Sequence, residues 1–571
     1  MLIATIMAGA ACALAQPRTS TQIAPVPVGH EAWRTVAEAT NFEDTSSHGE
    51  VVALMDRLAG DAPGVARRIS MGKSVEGRDM PVLVLSDPPV GTAAEARALA
   101  EKDGRVVVLV FGNIHAGEVD AKEAYLILAR QLIEAHGTRG MPGPAAPDAE
   151  LLRKLIVLIA PNYNCDGNER LGDNAVNRPG QDGPRRMGQR HNAMDLDLNR
   201  DWGKLESPEA RHMVALMNAW DPHVVIDGHT TDGSYHRYLM TYAVPKALAT
   251  DPRLVEFARD RMMPEVGRRL RARTDIDTFW YGDFEGDHEH PPREHALWTT
   301  TPGLPRYSTE YVGMRGRIGI LSESYSYSPF RDRIVGGLEF AREVLRYSAE
   351  HAGEIRRVTA DASAWRGGVS ADDAILPPQG DSHATPARAK ATPSGVVIRT
   401  RPANAPGEPI AVRGYVEETR DGRAASTNVP RDYPCALQIR LDPVLRVTRP
   451  AAYVFTAEVP QAIENLRLHG VRFTTLGEGA TFDAEVYTIT KVSPAPKPWQ
   501  GHTLMSLGAA CVRKRVQVPA GAVYVTTDQP LGNLVCYWLE PESEDGLATW
   551  NFFDAWATPG AEFPVARVLG P

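Results

Sequence analysis

Between residues 45 and 350, unbroken apolar runs alternate with stretches of helical periodicity. Arg105-Val-Val-Val-Leu-Val-Phe111 and His223-Val-Val-Ile-Asp227 are continuous rather than alternating, the pattern of parallel strands buried on both faces. After the first run, Ala121, Ala124, Tyr125, Leu128 and Leu132 fall on one helical face, and Leu338, Ala341, Val344 and Leu345 do so in a helix expected from about Gly336 to His351. Such alternation predicts an α/β fold. Residues 369–394, rich in Ala, Pro, Asp and Ser, read as a connection without a core of its own. Short alternating runs then follow, among them Gly395–Thr400, Ala451–Thr456 and Gly521–Thr526, separated by Gly, Pro and Asp turns. They predict a β-rich C-terminal domain.

Composition narrows the partners. With 571 residues, 43% of them hydrophobic and 23% charged, the chain is ordinary globular material too long for one core. A net charge of −9 argues against nucleic acid, whose phosphates select basic surfaces. Residues 1–15 are apolar and small, ending Ala13-Leu14-Ala15, and predict a signal peptide and an exported, periplasmic or extracellular protein. No later apolar run reaches the ~18 residues of a membrane span, so no stable membrane insertion is expected. Cys165, Cys435, Cys511 and Cys536 would allow one or two disulfides after export.

The candidate chemistry sits at the ends of the two apolar runs. Gly112-Asn-Ile-His115-Ala-Gly-Glu118 places an imidazole and a carboxylate three positions apart, and Asp227-Gly-His229 returns a second imidazole after the second run. Open α/β sheets put their sites at the carboxyl ends of strands. Two nitrogens and one oxygen, His115, Glu118 and His229, form the ligand set of a catalytic zinc, which leaves a fourth position for water and lowers its pKa. The separation of 111 positions from Glu118 to His229 excludes a single-helix zinc motif. Glu323, in Leu321-Ser-Glu-Ser324 after the apolar Ile318-Gly-Ile-Leu321, is the candidate general base, since a carboxylate ending an apolar strand is rarely unpaired unless functional.

Four blocks in order then carry a family resemblance. Met71-Gly-Lys-Ser-Val-Glu-Gly-Arg78, the His115/Glu118 pair, Arg190-His-Asn-Ala…Asp197-Leu-Asn-Arg200 and the Glu323 strand resemble the zinc carboxypeptidases related to carboxypeptidase A. The resemblance spans roughly residues 45–350 and implies a mixed, mostly parallel central sheet flanked by helices, with one zinc per chain. It also implies that Arg190 meets the oxyanion with the zinc, and that Asn199 and Arg200 hold the substrate's terminal carboxylate. The expected division is a signal peptide at 1–15, a lead-in at 16–44, a catalytic domain at 45–355, a linker at 356–394 and the β-rich domain at 395–571. The whole resembles an exported bacterial-type member with a C-terminal extension.

Other assignments stay open on sequence. The family's mobile tyrosine has no counterpart at its usual spacing; Tyr307 and Tyr311 precede Glu323 by sixteen and twelve residues, and Tyr311 with Arg315 is taken as substrate-binding. Arg200 has an alternative reading as the ion-pair partner of Asp197 or Asp201. The acid-and-histidine stretch Asp283–His290 reads as a solvated loop, and the aromatic cluster Leu534–Asp554 as packing. The expected activity is removal of a C-terminal residue from a peptide or protein with a free C-terminus. The alternatives are a murein-peptide amidase acting on cell-wall peptide and a non-catalytic binding protein of the same fold.

Overall fold

The computed structural model describes residues 31–137, 148–286, 294–367, 395–420 and 422–569. The expected signal peptide and residues 287–290 of the acid-and-histidine loop lie outside them. Where the continuous apolar runs occur, strands form. Val106–Gly112 and Val224–Thr231 are wholly buried and lie side by side in parallel. They occupy the centre of an eight-stranded mixed sheet. Its spatial order is Ala66–Lys73, Asp79–Leu85, Leu155–Ala160, Val106–Gly112, Val224–Thr231, Ile318–Tyr325, Met240–Ala243 and Thr278–Trp280. The four strands from Leu155–Ala160 to Ile318–Tyr325 run parallel, and antiparallel pairings flank them.

Helices Asp120–His136 and Phe330–Glu350 pack together on one face, sharing a core with Val108, Val110, Ile226 and Ile320. The apolar face predicted from Ala121 to Leu132 is the one that is buried. Two glycines let the first helix approach the sheet. Gly112 and Gly228 are register partners on adjacent strands. A Cβ on Gly112 would stand 2.9 Å from the Ala121 Cβ, and one on Gly228 would stand 2.5 Å from both Ala121 and the Tyr125 hydroxyl. Without side chains at both positions, the start of this helix can lie directly over the strand ends.

The C-terminal region is rich in strands, as expected, with a six-stranded sheet and the long hairpin Ala480–Pro494/Met505–Val518. It is joined to the catalytic half far more closely than a linker implies. The linker expected at 356–394 begins inside a helix, Ala352–Ala364, which turns its buried Ile355 into the catalytic core; residues 368–394 are outside the described residues. Strand Arg423–Gln438 pairs in parallel with Leu297–Thr299, so one sheet draws strands from both halves. One apolar cluster contains Leu198 and Trp202 together with Tyr453, Leu534 and Trp538. The aromatic cluster is packing material: helix Gly532–Leu539 is buried along its whole length. Cys165, Cys435 and Cys536 are buried free thiols and Cys511 is an exposed one.

Polar contacts seal the same junction. His502 Nε2 lies 2.7 Å from Glu206 Oε1. Burial alone would raise the Glu206 carboxyl, but the His502 hydrogen bond and the Lys204 charge bring it down to about 2. The same hydrogen bond raises the His502 imidazole, against the effect of burial. A depressed carboxyl adds stability above its unfolded value of ~4.3 that is lost as pH falls toward its folded value. A raised imidazole adds stability below its unfolded value of ~6.5 that is lost as pH rises through its folded value. The melting-temperature deficit of His502→Gln should therefore be largest between about pH 4.5 and 6.5 and shrink on both sides. A deficit independent of pH would show that the pair contributes packing and not charge.

Candidate metal centre

The centre is built at the carboxyl ends of three adjacent strands. Strand Val106–Gly112 ends in a turn at Asn113, held in the left-handed region (φ 62°) by amide hydrogen bonds from its Nδ2 to Asn162 and Asn168. The chain is thereby redirected so that His115 and Glu118 precede helix Asp120–His136 over the sheet. His229 lies within Val224–Thr231, and Glu323 is its register partner on Ile318–Tyr325.

His115, Glu118 and His229 are buried, and their candidate ligand atoms all lie within 4.8 Å of one another. Each imidazole is held at both nitrogens. His115 Nδ1 is 2.9 Å from Glu118 Oε1, and its Nε2 is 3.0 Å from Asp197 Oδ1. His229 Nδ1 is 2.9 Å from Glu118 Oε2, and its Nε2 is 3.0 Å from Asp227 Oδ2. Carboxylates at both Nε2 atoms fix the Nε2–H tautomer, which turns the Nδ1 lone pairs toward the Glu118 oxygens. Lone pairs converging on carboxylate oxygens in a buried site call for a cation among them, and the carboxylate–histidine pairing is the support that zinc-ligating imidazoles use. The donor set therefore fits zinc. Asp197→Asn, which keeps shape but removes charge behind His115, should weaken zinc retention ~10–100-fold in a chelator competition without altering the far-UV spectrum.

Glu323 lines the same pocket, of about 180 Å³, with the three ligands, Arg190, Asn199, Arg200, Tyr281 and Tyr307. Among the described residues none donates a hydrogen bond to its carboxylate. Burial holds this carboxyl well above the usual range, and the Glu118 charge adds to the shift against the opposing charge on His229.

Comparison with known proteins agrees with this geometry. Residues 51–247 match the family model Peptidase_M14, zinc carboxypeptidase. Over these residues the chain matches a zinc carboxypeptidase domain. Carboxypeptidase 2 of Trichophyton rubrum is 22% identical over 90% of this chain and 85% of its own length. Carboxypeptidase D of Mus musculus is 35% identical over 26% of this chain and 11% of its own length. A metallo-carboxypeptidase from Burkholderia cenocepacia aligns over 53% of this chain and 69% of its own at 18% identity and a TM-score of 0.37. The family is one of hydrolytic metallopeptidases, and the expectation of an enzyme of that class stands.

The remaining predicted residues divide. Arg190 reaches the pocket, with Nε and Nη2 donating to Asp197 Oδ2 at 3.0 and 2.8 Å and Nη1 to Glu118 Oε1 at 3.3 Å. Asn199 Oδ1 accepts from the Ser308 N–H, which leaves its Nδ2 3.3 Å from His229 Nε2. Arg200 donates to the Asn199 carbonyl and stacks over the Tyr307 ring at 4.6 Å. It also lies 3.9 Å from Asp197 Oδ2, so the ion-pair reading of this arginine describes a real but loose contact.

Tyr311 and Arg315 are not in the pocket. Tyr311 lies in the middle of helix Ser308–Met314 and Arg315 just beyond its end, about one and two turns past Tyr307. Tyr311 is fully buried between Trp202 and Trp538, and its hydroxyl donates to His469 Nδ1 at 2.8 Å while His469 Nε2 meets the Gly203 carbonyl. Arg315 donates to Tyr311, the His469 carbonyl and Asn218. Their work is to join the two halves of the chain, and Tyr307 is the tyrosine that faces the pocket.

Four residues of the site are not legible in the local sequence. Arg178 is almost fully buried and donates to Glu118 Oε1 at 3.1 Å and to the Thr230 carbonyl at 2.8 Å; nothing marked it out among the arginines of its loop. Asp197 and Asp227 stand inside the sequence motifs of the site, but their partnership with the two imidazoles depends on strand placement. Gln500 of the C-terminal region accepts from the Asp197 N–H at 2.9 Å, across a separation of 303 residues that no local pattern reveals.

Proposed function

We propose that the chain is a zinc-dependent carboxypeptidase that removes the last residue from peptides or proteins with a free C-terminus. One observation carries the reading: three buried ligands, two of them braced by carboxylates, converge in a pocket that also holds an unengaged carboxylate and two arginines. Zinc bound by His115, Glu118 and His229 would polarise the scissile carbonyl and acidify the attacking water. Glu323 would accept that water's proton and deliver it to the departing amine. Arg190 is positioned to meet the developing negative charge on the carbonyl oxygen. Arg200, braced on Tyr307, and Asn199 would grip the terminal carboxylate, for which a planar guanidinium suits paired hydrogen bonds.

The C-terminal region is part of this reading as a support, because Gln500 touches the backbone of Asp197 and Tyr311 is anchored on His469. Among the described residues no helix is long and apolar enough to cross a membrane. The apolar composition of residues 1–15 supports export.

The test is metal analysis together with mass spectrometry of a mixed peptide library treated with the full chain. One zinc per chain and loss of single C-terminal residues from free-acid peptides, with their amidated counterparts untouched, is the expected result. Zinc-free protein, cleavage inside the peptides, or equal trimming of amidated ends would overturn it.

A further inference from the structure

A second, larger cleft of about 450 Å³ lies where the catalytic half meets the C-terminal region. It shares Ala243 and Tyr281 with the catalytic pocket, yet contains none of the metal ligands and neither Arg190 nor Arg200. Its walls are largely apolar, with Val255, Trp280, Trp365 and Leu441 among them. The size and lining suit a small organic ligand, whose orientation is usually set by a few polar groups.

Cations outnumber acids among the charged groups here, with Lys246, Arg259, Arg440 and Arg446 set against Glu256 and Asp442. Arg259 is engaged, donating from Nε and Nη2 to Asp260 at 2.7 and 2.6 Å. Lys246 has only Thr300 Oγ1, at 3.3 Å, as a side-chain hydrogen-bond partner; burial lowers its ammonium to about 8 despite the nearby Glu310 charge. Arg440 has no side-chain hydrogen bond or ion pair among the described residues, and its Nε is sealed from solvent without a partner. Burial and the neighbouring Arg259 charge both pull its guanidinium away from the charged form, and the Asp260 carboxylate that Arg259 holds offsets them only in part. An arginine half-buried beside another arginine, with no carboxylate in direct contact and the nearby Asp260 taken up by Arg259, is an unfavourable arrangement. An incoming anion would relieve it.

We propose that this cleft is a second, non-catalytic binding site for an amphipathic carboxylate. Arg440 pairs with the head group, and Trp280 and Trp365 cover the apolar body. Short apolar peptides with a free C-terminus and fatty acids share this chemistry. The proposal does not depend on the peptidase reading, since no ligand or base of the catalytic pocket takes part.

Calorimetric titration of the full chain with decanoate tests it, with decanol as the uncharged counterpart. The expected result is one decanoate per chain, binding at least ~10-fold weaker in Arg440→Gln and weaker for decanol by a similar factor, because a charge-assisted hydrogen bond is removed in each case. Arg200→Gln, altered in the catalytic pocket, should bind decanoate like the wild type. Ala403→Trp, which fills the cleft while keeping Arg440, should also abolish binding, and guards against a folding defect in the arginine variant. N-acetyl-leucyl-leucine displacing decanoate would identify peptides as ligands, and its failure to do so would identify fatty acids; both results support the site. Absence of saturable decanoate binding, equal binding by Arg440→Gln, or loss of binding in Arg200→Gln would overturn it.

Discussion

Replacing Glu323 with glutamine is expected to lower kcat about a thousandfold on a blocked dipeptide while leaving zinc content and melting temperature near wild type. Positioned general acid–base groups contribute ~10²–10⁴ in rate, and a factor of ~10³ corresponds to about 4 kcal/mol of barrier. The structure separates this residue from the ligands. Glu323 is absent from the convergent set His115, Glu118 and His229, and its carboxylate takes no hydrogen bond from the described residues. Glutamine has nearly the same volume and can remain in the strand, but it can neither accept the water's proton nor return it to the leaving amine. Glu118→Gln gives the contrasting pattern. Its carboxylate would supply the oxygen ligand and is the common partner of both Nδ1 atoms, so zinc should be lost along with activity. Turnover by Glu323→Gln above a tenth of wild type would remove this residue from the mechanism. Loss of zinc from the same variant would make it a ligand instead.

The contrast between Glu323 and Tyr311 shows what the sequence could and could not disclose. His115, Glu118, His229 and Glu323 each sit at or near the end of a continuous apolar run. A strand in a parallel sheet delivers its carboxyl end to the same edge as its neighbours, so placement follows from the run itself. Tyr311 and Arg315 lie on or just past a short helix, where a step of one turn separates the pocket wall at Tyr307 from the interior contact with His469. Spacing to Glu323 could not resolve that step. Asp197, Asp227 and Arg178 illustrate a second limit. Their partners are fixed by how strands stack and how one loop folds back, and acids or arginines near a motif are common. The close union of the two halves was the least legible feature. It depends on contacts such as Leu198 with the Trp538 cluster and Gln500 with Asp197, in which neither partner's local sequence indicates the other.

That union makes the strongest stability prediction. Arg306 and Asp545 are 239 positions apart and form a buried pair: the Arg306 backbone N–H donates to Asp545 Oδ2 at 2.9 Å, and its Nε to Oδ1 at 2.8 Å. Trp550 Nε1 donates to the same Oδ1 at 2.8 Å, and the rings of Trp499 and Trp550 both face the guanidinium, 4.9 and 4.8 Å from their centroids. Asp545→Ala leaves a cation and an indole N–H buried without their acceptor. Breaking a buried pair from one side costs about 3–5 kcal/mol. The double variant Arg306→Met/Asp545→Leu removes both charges and should recover most of that loss, because the penalty comes chiefly from the orphaned charge and only in small part from the missing bond. Urea unfolding followed at once by tryptophan fluorescence and zinc release would measure the effect. If the two halves are one cooperative unit, both signals move together to lower urea in Asp545→Ala. The hairpin bearing Trp499 also carries Gln500 to Asp197, so loosening it reaches the carboxylate behind His115. Zinc release that stayed at the wild-type midpoint while fluorescence shifted would separate the C-terminal region from the metal centre and refute its supporting role.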